Sequence, residues 1–171
     1  MKIWKSLLIS ALVLVTTTLG LTTPASAAGA MGATVPAQAA STQNPGKVVA
    51  THPAAPADAR TRSLAAASPG MSPAPGRNYH SDPGSPWVCA SQWLCIIVWD
   101  YSVGKWEDFE LLSCNRYGLS NWEDTGYFLD NQTNNVLSTF YDQGSNVLRT
   151  FRPDNQVHDQ YWSPVWSIRN C

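Results

Sequence analysis

The sequence predicts a small all-β domain, stapled by disulfides, in the C-terminal half of a 171-residue chain. Three features of that half predict it: the aromatic residues crowd there, its apolar runs are short or alternating, and all four cysteines lie there. Seven of the eight Trp, five of the six Tyr and all four Phe follow residue 85. Residues 86–171 show no apolar stripe with helical spacing, so helices are not predicted.

The strands are read from the spacing of apolar residues. Residues 94–99 form a continuous apolar and β-branched run, as in a buried strand. Residues 165–169 alternate, which predicts that Trp166 and Ile168 share one face. Residues 147–151 alternate in the same way. Turn-forming residues separate such runs at 101–104, 142–144 and 152–155.

The N-terminal residues have the features of a secretory signal. Lys2 and Lys5 precede an apolar run at 7–21, and small residues follow at 25–27. Residues 1–27 are therefore predicted to be a signal peptide, which implies a secreted, extracellular protein with no membrane attachment after cleavage.

Residues 28–85 differ in composition from the rest. They hold eight of the twelve prolines, are rich in Ala, and contain one aromatic residue, Tyr79. Such a segment buries too little apolar surface to offset the entropy lost on ordering, so a disordered linker is predicted. The alternative is a pro-segment processed at the basic pair Arg60 and Arg62.

The four cysteines predict disulfides, because an even number in a short exported domain is typical of them. We pair Cys89 with Cys95, which closes a small loop, and Cys114 with Cys171, which ties the chain end to the first half of the domain. Four cysteines allow three connectivities, and the sequence does not choose among them.

Charge and spacing argue against several function classes. Residues 86–171 carry five basic and ten acidic side chains, a poor match for nucleic acid or anionic lipid. The cysteine spacing fits no common zinc pattern, and His158 is the sole His of this half, so no metal and no cofactor are predicted.

No enzyme is predicted either. No nucleophile elbow is present, and His158 is assigned to a solvated loop. The adjacent acids Glu107 and Asp108, and likewise Glu123 and Asp124, are interpreted as surface charge, because neighbours in a strand point to opposite faces.

An internal repeat gives the architecture. Trp99-Asp100 recurs 42 residues later as Tyr141-Asp142, and the stretch 127–131 matches 166–170 at an offset of 39. Two units of about forty residues, each of about four antiparallel strands, predict a Greek-key sandwich and a monomer.

These residues resemble a known family. The stretch 94–101 with Gly104 is similar to the opening of a βγ-crystallin Greek-key motif, and 167–170 is similar to its closing strand. The C-x5-C spacing of Cys89 and Cys95 before an apolar run resembles secreted bacterial peptidase inhibitors of family I36. The resemblance covers residues 87–171.

The resemblance implies a βγ-crystallin-like fold and a partner that is an extracellular peptidase, blocked through a rigid loop. Two regions qualify as that loop: the Cys89–Cys95 loop with Trp93, and residues 149–156 with Arg149, Arg152 and Pro153. The inhibitor it resembles has a disulfide in the later region, and this chain has none there.

The alternative that the resemblance leaves open is a non-inhibitory βγ-crystallin-like module with weak calcium, glycan or cell-wall binding. The crystallin-type calcium stretches align with 124–128 and 163–167, and each lacks oxygen ligands, so weak or no calcium binding is predicted. For glycan binding, four Trp are candidates to stack on a sugar ring. The alternative, that these Trp lie in the core, is favoured. They are Trp93, Trp106, Trp122 and Trp162.

Overall fold

The structure of the chain, a computed structural model, describes residues 42–44, 46–62 and 66–171, with the backbone alone for 42–44. The predicted signal peptide lies outside these residues. The described residues form thirteen strands, and no helix among them is long and apolar enough to cross a membrane. The strands are β1 (Thr42–Asn44), β2 (Lys47–Thr51), β3 (Gly70–Ser72), β4 (Arg77–Ser81), β5 (Pro86–Ala90), β6 (Leu94–Asp100), β7 (Lys105–Leu111), β8 (Arg116–Ser120), β9 (Thr125–Asp130), β10 (Ser138–Tyr141), β11 (Val147–Phe151), β12 (Val157–Tyr161) and β13 (Ser167–Arg169).

Antiparallel pairing assembles these strands into three sheets. The small sheet has the order β1-β2-β5, the central sheet β12-β9-β6-β7-β4, and the flanking sheet β11-β10-β13-β8-β3. The predicted all-β class is confirmed.

Two four-strand units with equivalent connections build the central and flanking sheets. In the first unit β6, β7 and β9 lie in the central sheet, and β8 crosses to the flanking sheet. In the second unit β10, β11 and β13 lie in the flanking sheet, and β12 crosses to the central sheet. In both units the fourth strand pairs with the first. This reciprocal exchange is the strand order that a duplicated unit produces.

Part of the segment predicted to be a disordered linker, residues 28–85, is folded, and for its described residues that prediction is wrong. β2 pairs with β5, β3 with β8, and β4 with β7. The segment takes its order from strands elsewhere in the chain, which its own composition cannot show. The predicted domain boundary at residue 86 is wrong for the same reason.

The space between the central and flanking sheets holds the larger apolar core. Its twelve buried side chains include Phe109, Phe128, Phe140 and Trp162, whose rings make edge and tilted contacts. Trp122 also lies here and is buried, as the sequence favours for it and for Trp162.

Trp166 departs from its predicted place. It lies before β13 rather than in it, and its side chain is 49% exposed, whereas Ile168 is fully buried. The prediction that the two share one face is wrong: Val165 and Ile168 are buried and Trp166 is not, although the Trp166 backbone bonds to Tyr141 and Leu119.

A second apolar layer lies on the other face of the central sheet, under the small sheet. Val48 and Trp87 of the small sheet pack there with Ile97, Trp99 and Trp106 of the central sheet. Because apolar layers lie on both of its faces, every residue of β6 is buried. That explains its uninterrupted apolar sequence.

Glu107 and Asp108 are buried in β7, at 5% and 1% exposure, so the prediction that they are surface charge is wrong. Burying carboxylates is costly unless they are paired. The partners come from strand β4 and from His52, which follows β2. The pairs are His52 with Asp108, Asn78 with Glu107, and both Arg77 and Tyr79 with Glu110.

Two disulfides close the chain in the predicted pairing, Cys89 with Cys95 and Cys114 with Cys171. The first is fully buried between the small and central sheets, whereas Cys114 is exposed at the end of the sandwich. Disulfides of this kind are typical of extracellular proteins.

Candidate functional site

A cleft of about 590 Å³ opens between the two loops that precede the closing strands of the units. One loop is the β8–β9 connection, residues 121–124, and the other is the β12–β13 connection, residues 162–166. The Asp124 amide donates to Ser163 Oγ at 3.1 Å, and the Trp162 amide donates to the Asp124 carbonyl at 2.7 Å. The duplicated connections therefore meet at one site.

Two large aromatic side chains of the cleft are open to solvent. Trp166 is 49% exposed and Tyr161 is 56% exposed. The buried residues Trp122 and Val165 also line the cleft, and the Trp122 indole N–H donates to the Gly70 carbonyl at 2.9 Å. The cleft thus combines two exposed rings with buried side chains that belong to the core.

A charged network forms one side of the cleft. The Arg62 guanidinium contacts the carboxylates of Asp124 and, at 3.3 Å, Glu123. It also lies 4.9 Å from the centre of the Tyr101 ring. The Tyr101 hydroxyl donates to Asp124 at 2.8 Å, and burial, together with that carboxylate, raises the pKa of Tyr101. Tyr101 is thus a neutral donor at physiological pH.

The same network bears on calcium. The loop residues Asp124 and Ser163 belong to the two stretches that align with crystallin-type calcium sites. The Asp124 carboxylate pairs with the Arg62 guanidinium and accepts a hydrogen bond from the Tyr101 hydroxyl. These two side chains already compensate the negative charge that would otherwise attract a calcium ion. Weak or no calcium binding stays a prediction, which this arrangement favours.

The proposed inhibitory-loop residues lie at two places away from the cleft. Trp93 is half-buried against the apolar layer under the small sheet, and Arg77 covers its ring at 4.6 Å. Arg149 stacks at 4.7 Å on Phe128 and donates to the Asp159 carbonyl at 3.0 Å. Both side chains are held by the fold rather than presented at a free loop tip.

Arg152 and Pro153 belong to the β11–β12 loop, residues 152–156. Arg152 is exposed and Pro153 half-buried. The Asn155 amide donates to the Asp130 carbonyl at 3.2 Å, and Asp154 pairs with His158 at 2.7 Å. These two contacts hold the loop at Asp154 and Asn155.

His158 does not lie in a loop as predicted. It belongs to β12 and stacks on Phe128, with ring centres 5.0 Å apart. This strand has no apolar pattern that would predict it, because the stretch 156–160 is polar and β12 is half-buried through its pairing with β9.

A Ser-His-Asp arrangement also occurs, formed by residues far apart in the chain. His52 Nδ1 lies 3.0 Å from Ser85 Oγ, and its Nε2 lies 2.9 Å from Asp108 Oδ1. A nucleophilic serine must be able to pass its proton to the imidazole. Here the Ser85 hydroxyl donates to the Asp82 carbonyl at 2.6 Å, and Nδ1 also faces the Ser85 carbonyl at 3.0 Å, which makes Nδ1 a donor. The geometry is that of a buried structural ion pair.

Comparison with known proteins adds no relative. No protein-family model, no curated protein and no solved structure matches the chain. The functional argument therefore depends on the geometry of the cleft and of the loops beside it.

Proposed function

We propose that this protein is a secreted, non-enzymatic module that binds carbohydrate in the cleft between residues 121–124 and 162–166. The observation that carries the proposal is that Trp166 and Tyr161, both about half exposed, line one cleft together with hydrogen-bonding side chains. Exposed aromatic residues on a monomer are costly to keep in water, so a pair in one concave site points to a ligand.

The chemistry of the lining suits a sugar. A pyranose ring offers an apolar face of C–H groups and a rim of hydroxyls. Tyr and Trp present flat apolar rings with one polar atom, which matches that face. Asn121, Glu123 and Ser163 supply donors and acceptors for the hydroxyl rim.

Three further features support an extracellular role. The N-terminal residues have the pattern of a signal peptide, and two disulfides close the domain. The duplicated strand order agrees with the βγ-crystallin-like fold that the sequence resembles.

The test is retention of the oxidised mature chain on insoluble chitin, cellulose and peptidoglycan, followed by calorimetric titration with a soluble oligosaccharide of the polymer that retains it. Trp166→Ala and Tyr161→Ala should each weaken binding about tenfold, which corresponds to about 1.4 kcal/mol. Leu148→Ala, which removes an exposed apolar side chain of β11 outside the cleft lining, is the control and should bind normally. Equal binding by Trp166→Ala, or retention by none of the three polymers, would contradict the proposal.

A second candidate is inhibition of an extracellular peptidase through the loop at residues 152–156. The specific observation is that the Asn155 amide donates to the Asp130 carbonyl and the Asp154 carboxylate pairs with His158, which fixes this loop, while Arg152 is exposed. A loop that is ordered before binding loses little entropy in a protease cleft. The oxidised protein should then inhibit a thermolysin-like or subtilisin-like peptidase, and Arg152→Ala should weaken inhibition while Trp166→Ala should not.

A further inference from the structure

Three side chains from adjacent strands of the central sheet converge at its β4 edge, away from the cleft lining. His80 of β4 lies directly opposite Glu107 of β7, and Glu107 lies opposite Val98 of β6. Asp100 follows Val98 by two residues, so it points to the same face. The register of the three strands thus brings one imidazole and two carboxylates together.

The distances between these groups are short. His80 Nε2 lies 2.9 Å from Asp100 Oδ2 and 3.9 Å from Glu107 Oε2. One nitrogen and two carboxylate oxygens of the three residues lie within 4.8 Å of one another. Donor atoms around a tetrahedral zinc ion are about 3.3 Å apart, given metal–ligand distances of about 2.0 Å, so no pair of these donors has to close by more than about 1.5 Å.

The other oxygen of each carboxylate is bound by the protein. Asp100 Oδ1 accepts the Ser102 amide at 2.8 Å, and Glu107 Oε1 accepts the Asn78 side-chain amide at 2.5 Å. Such outer contacts orient metal ligands and keep the remaining oxygen directed inward. Both carboxylates are therefore held in place for a common ligand.

Glu107 Oε2 is the observation that points to a cation. The Glu107 side chain is 6% exposed, and this oxygen is buried without a hydrogen-bond partner. Buried acceptors without a partner are rare, because an unmet carboxylate oxygen costs free energy.

We propose that His80, Asp100 and Glu107 bind a divalent transition-metal ion, with zinc as the preferred ion. The imidazole ligand favours zinc and its neighbours over calcium and magnesium, which take oxygen ligands. Two carboxylates neutralise the 2+ charge. His80 is 36% exposed, so the ion enters from the solvent side and retains a position for water.

The alternative role for His80 is an ion pair that neutralises the two acids without any metal. The His158–Asp154 pair, at 2.7 Å, is the matched comparison, because it offers an imidazole and a carboxylate without forming a three-ligand cluster. The chain has three His in all, and the third, His52, is buried. An untagged protein therefore keeps the histidine background low.

The test is titration of the untagged, oxidised mature chain with Zn²⁺ by calorimetry, and with Co²⁺ by visible absorption. We expect one ion per chain, a raised Tm, and the intense visible bands of four-coordinate Co²⁺. His80→Gln and Glu107→Gln should weaken Zn²⁺ binding at least tenfold, and His158→Gln should leave it unchanged.

His80 is partly exposed, so His80→Gln should stay folded even if the buried Glu107 variant does not. The proposal fails if the native chain does not bind Zn²⁺, if His80→Gln binds Zn²⁺ as tightly as the native chain, or if Ca²⁺ binds equally well. Carbohydrate binding in the cleft is independent of all three outcomes.

Discussion

The central and flanking sheets have five strands each and pair their duplicated strands equivalently, yet among the described residues only the central sheet has apolar layers on both faces. Strand β7 of the central sheet is buried in every residue but Lys105, whereas β11, which holds the same place in the second unit, has exposed residues beside half-buried ones. The difference comes from the segment before residue 86, which builds most of the small sheet and adds β4. A strand's burial pattern thus reports the layer it occupies rather than its place in the repeat.

Removal of residues 28–85 should have the largest effect, because it takes away the layer that covers the second face of the central sheet. A fragment of residues 86–171 loses β2 and β4, which uncovers the face of the central sheet that carries Ile97 and Trp106. It also leaves Asp108 without His52, and a buried charge that loses its partner costs about 3–5 kcal/mol.

We expect residues 28–171 to show a cooperative thermal transition by near-UV circular dichroism, and the fragment to lack that transition and to bind a hydrophobic dye. A fragment that melts cooperatively at the same temperature would mean that the small sheet contributes little.

The sequence could predict the fold class, the buried strand β6, the presence of disulfides and the duplicated unit, because each depends on local spacing or on residue counts. It could not predict β4, Arg77–Ser81, which is polar and mostly exposed and is ordered by pairing with β7. One signal was present. Residues 28–85 carry two net positive charges and residues 86–171 carry five net negative ones, and Arg77 does pair with Glu110 across that boundary.

The candidate site was harder still to predict. Whether Trp166 is buried or lines a cleft depends on where the alternation of the strand begins, and alternation alone puts Trp166 on one face with Ile168. The cleft also needs Arg62, from the segment assigned to a linker, beside Asp124. Neither the start of a strand nor a contact between residues far apart in the chain follows from local composition.

The two disulfides should differ in how much they stabilise the fold, because they differ in loop length and in exposure. The residues of Cys114–Cys171 are 57 apart and those of Cys89–Cys95 are 6 apart. On the chain-entropy model the long loop is worth about 4 kcal/mol and the short one about 2 kcal/mol. Replacing Cys114 and Cys171 by Ala should therefore lower the free energy of unfolding more than the same change at Cys89 and Cys95.

Exposure gives a second measurement on the same pair. Graded reduction followed by alkylation and mass spectrometry should find Cys114–Cys171 opened first, because Cys89 and Cys95 are fully buried. Earlier reduction of the buried pair would show that the small sheet opens readily.

Glycines in equivalent sheets should respond differently to added volume. A Cβ at Gly126 of β9 would lie 2.2 Å from the Ile97 carbonyl and 2.4 Å from the Trp162 indole nitrogen. At Gly118 of β8, in the flanking sheet, the nearest atom would be 3.6 Å away. Gly126→Ala should lower the free energy of unfolding by about 3 kcal/mol, because the clash is with backbone that cannot move aside.

Gly118→Ala is the matched control and should change stability by less than about 1 kcal/mol. Urea denaturation of both variants measures the difference. Equal losses would mean that β9 and β6 can separate without cost.

The smallest expected effect concerns two aspartates at the ends of strands. Burial raises the pKa of Asp130, at the end of β9 in the central sheet, to about 6. Asp142, which follows β10 in the flanking sheet, is hydrogen-bonded by Asn146, and those bonds lower its pKa. A raised folded-state pKa means that the native state holds the proton more tightly than the unfolded state, so this group's contribution to stability falls as pH rises from about 4 to about 6.

Asp130→Asn should flatten stability over that window, by on the order of 3 kcal/mol, since each pKa unit corresponds to about 1.4 kcal/mol. Asp142→Asn should leave the pH dependence of stability between pH 4 and 6 unchanged. It should remove the stabilisation that the lowered pKa of Asp142 provides, which the native chain loses only as the pH falls below the usual carboxyl pKa. Urea denaturation from pH 3 to pH 8 measures both. The interpretation of Asp130 as a buried acid that costs stability at neutral pH would be wrong if its variant kept the native slope between pH 4 and 6. The difference between a two-face-covered sheet and a one-face-covered sheet would then not extend to the ends of their strands.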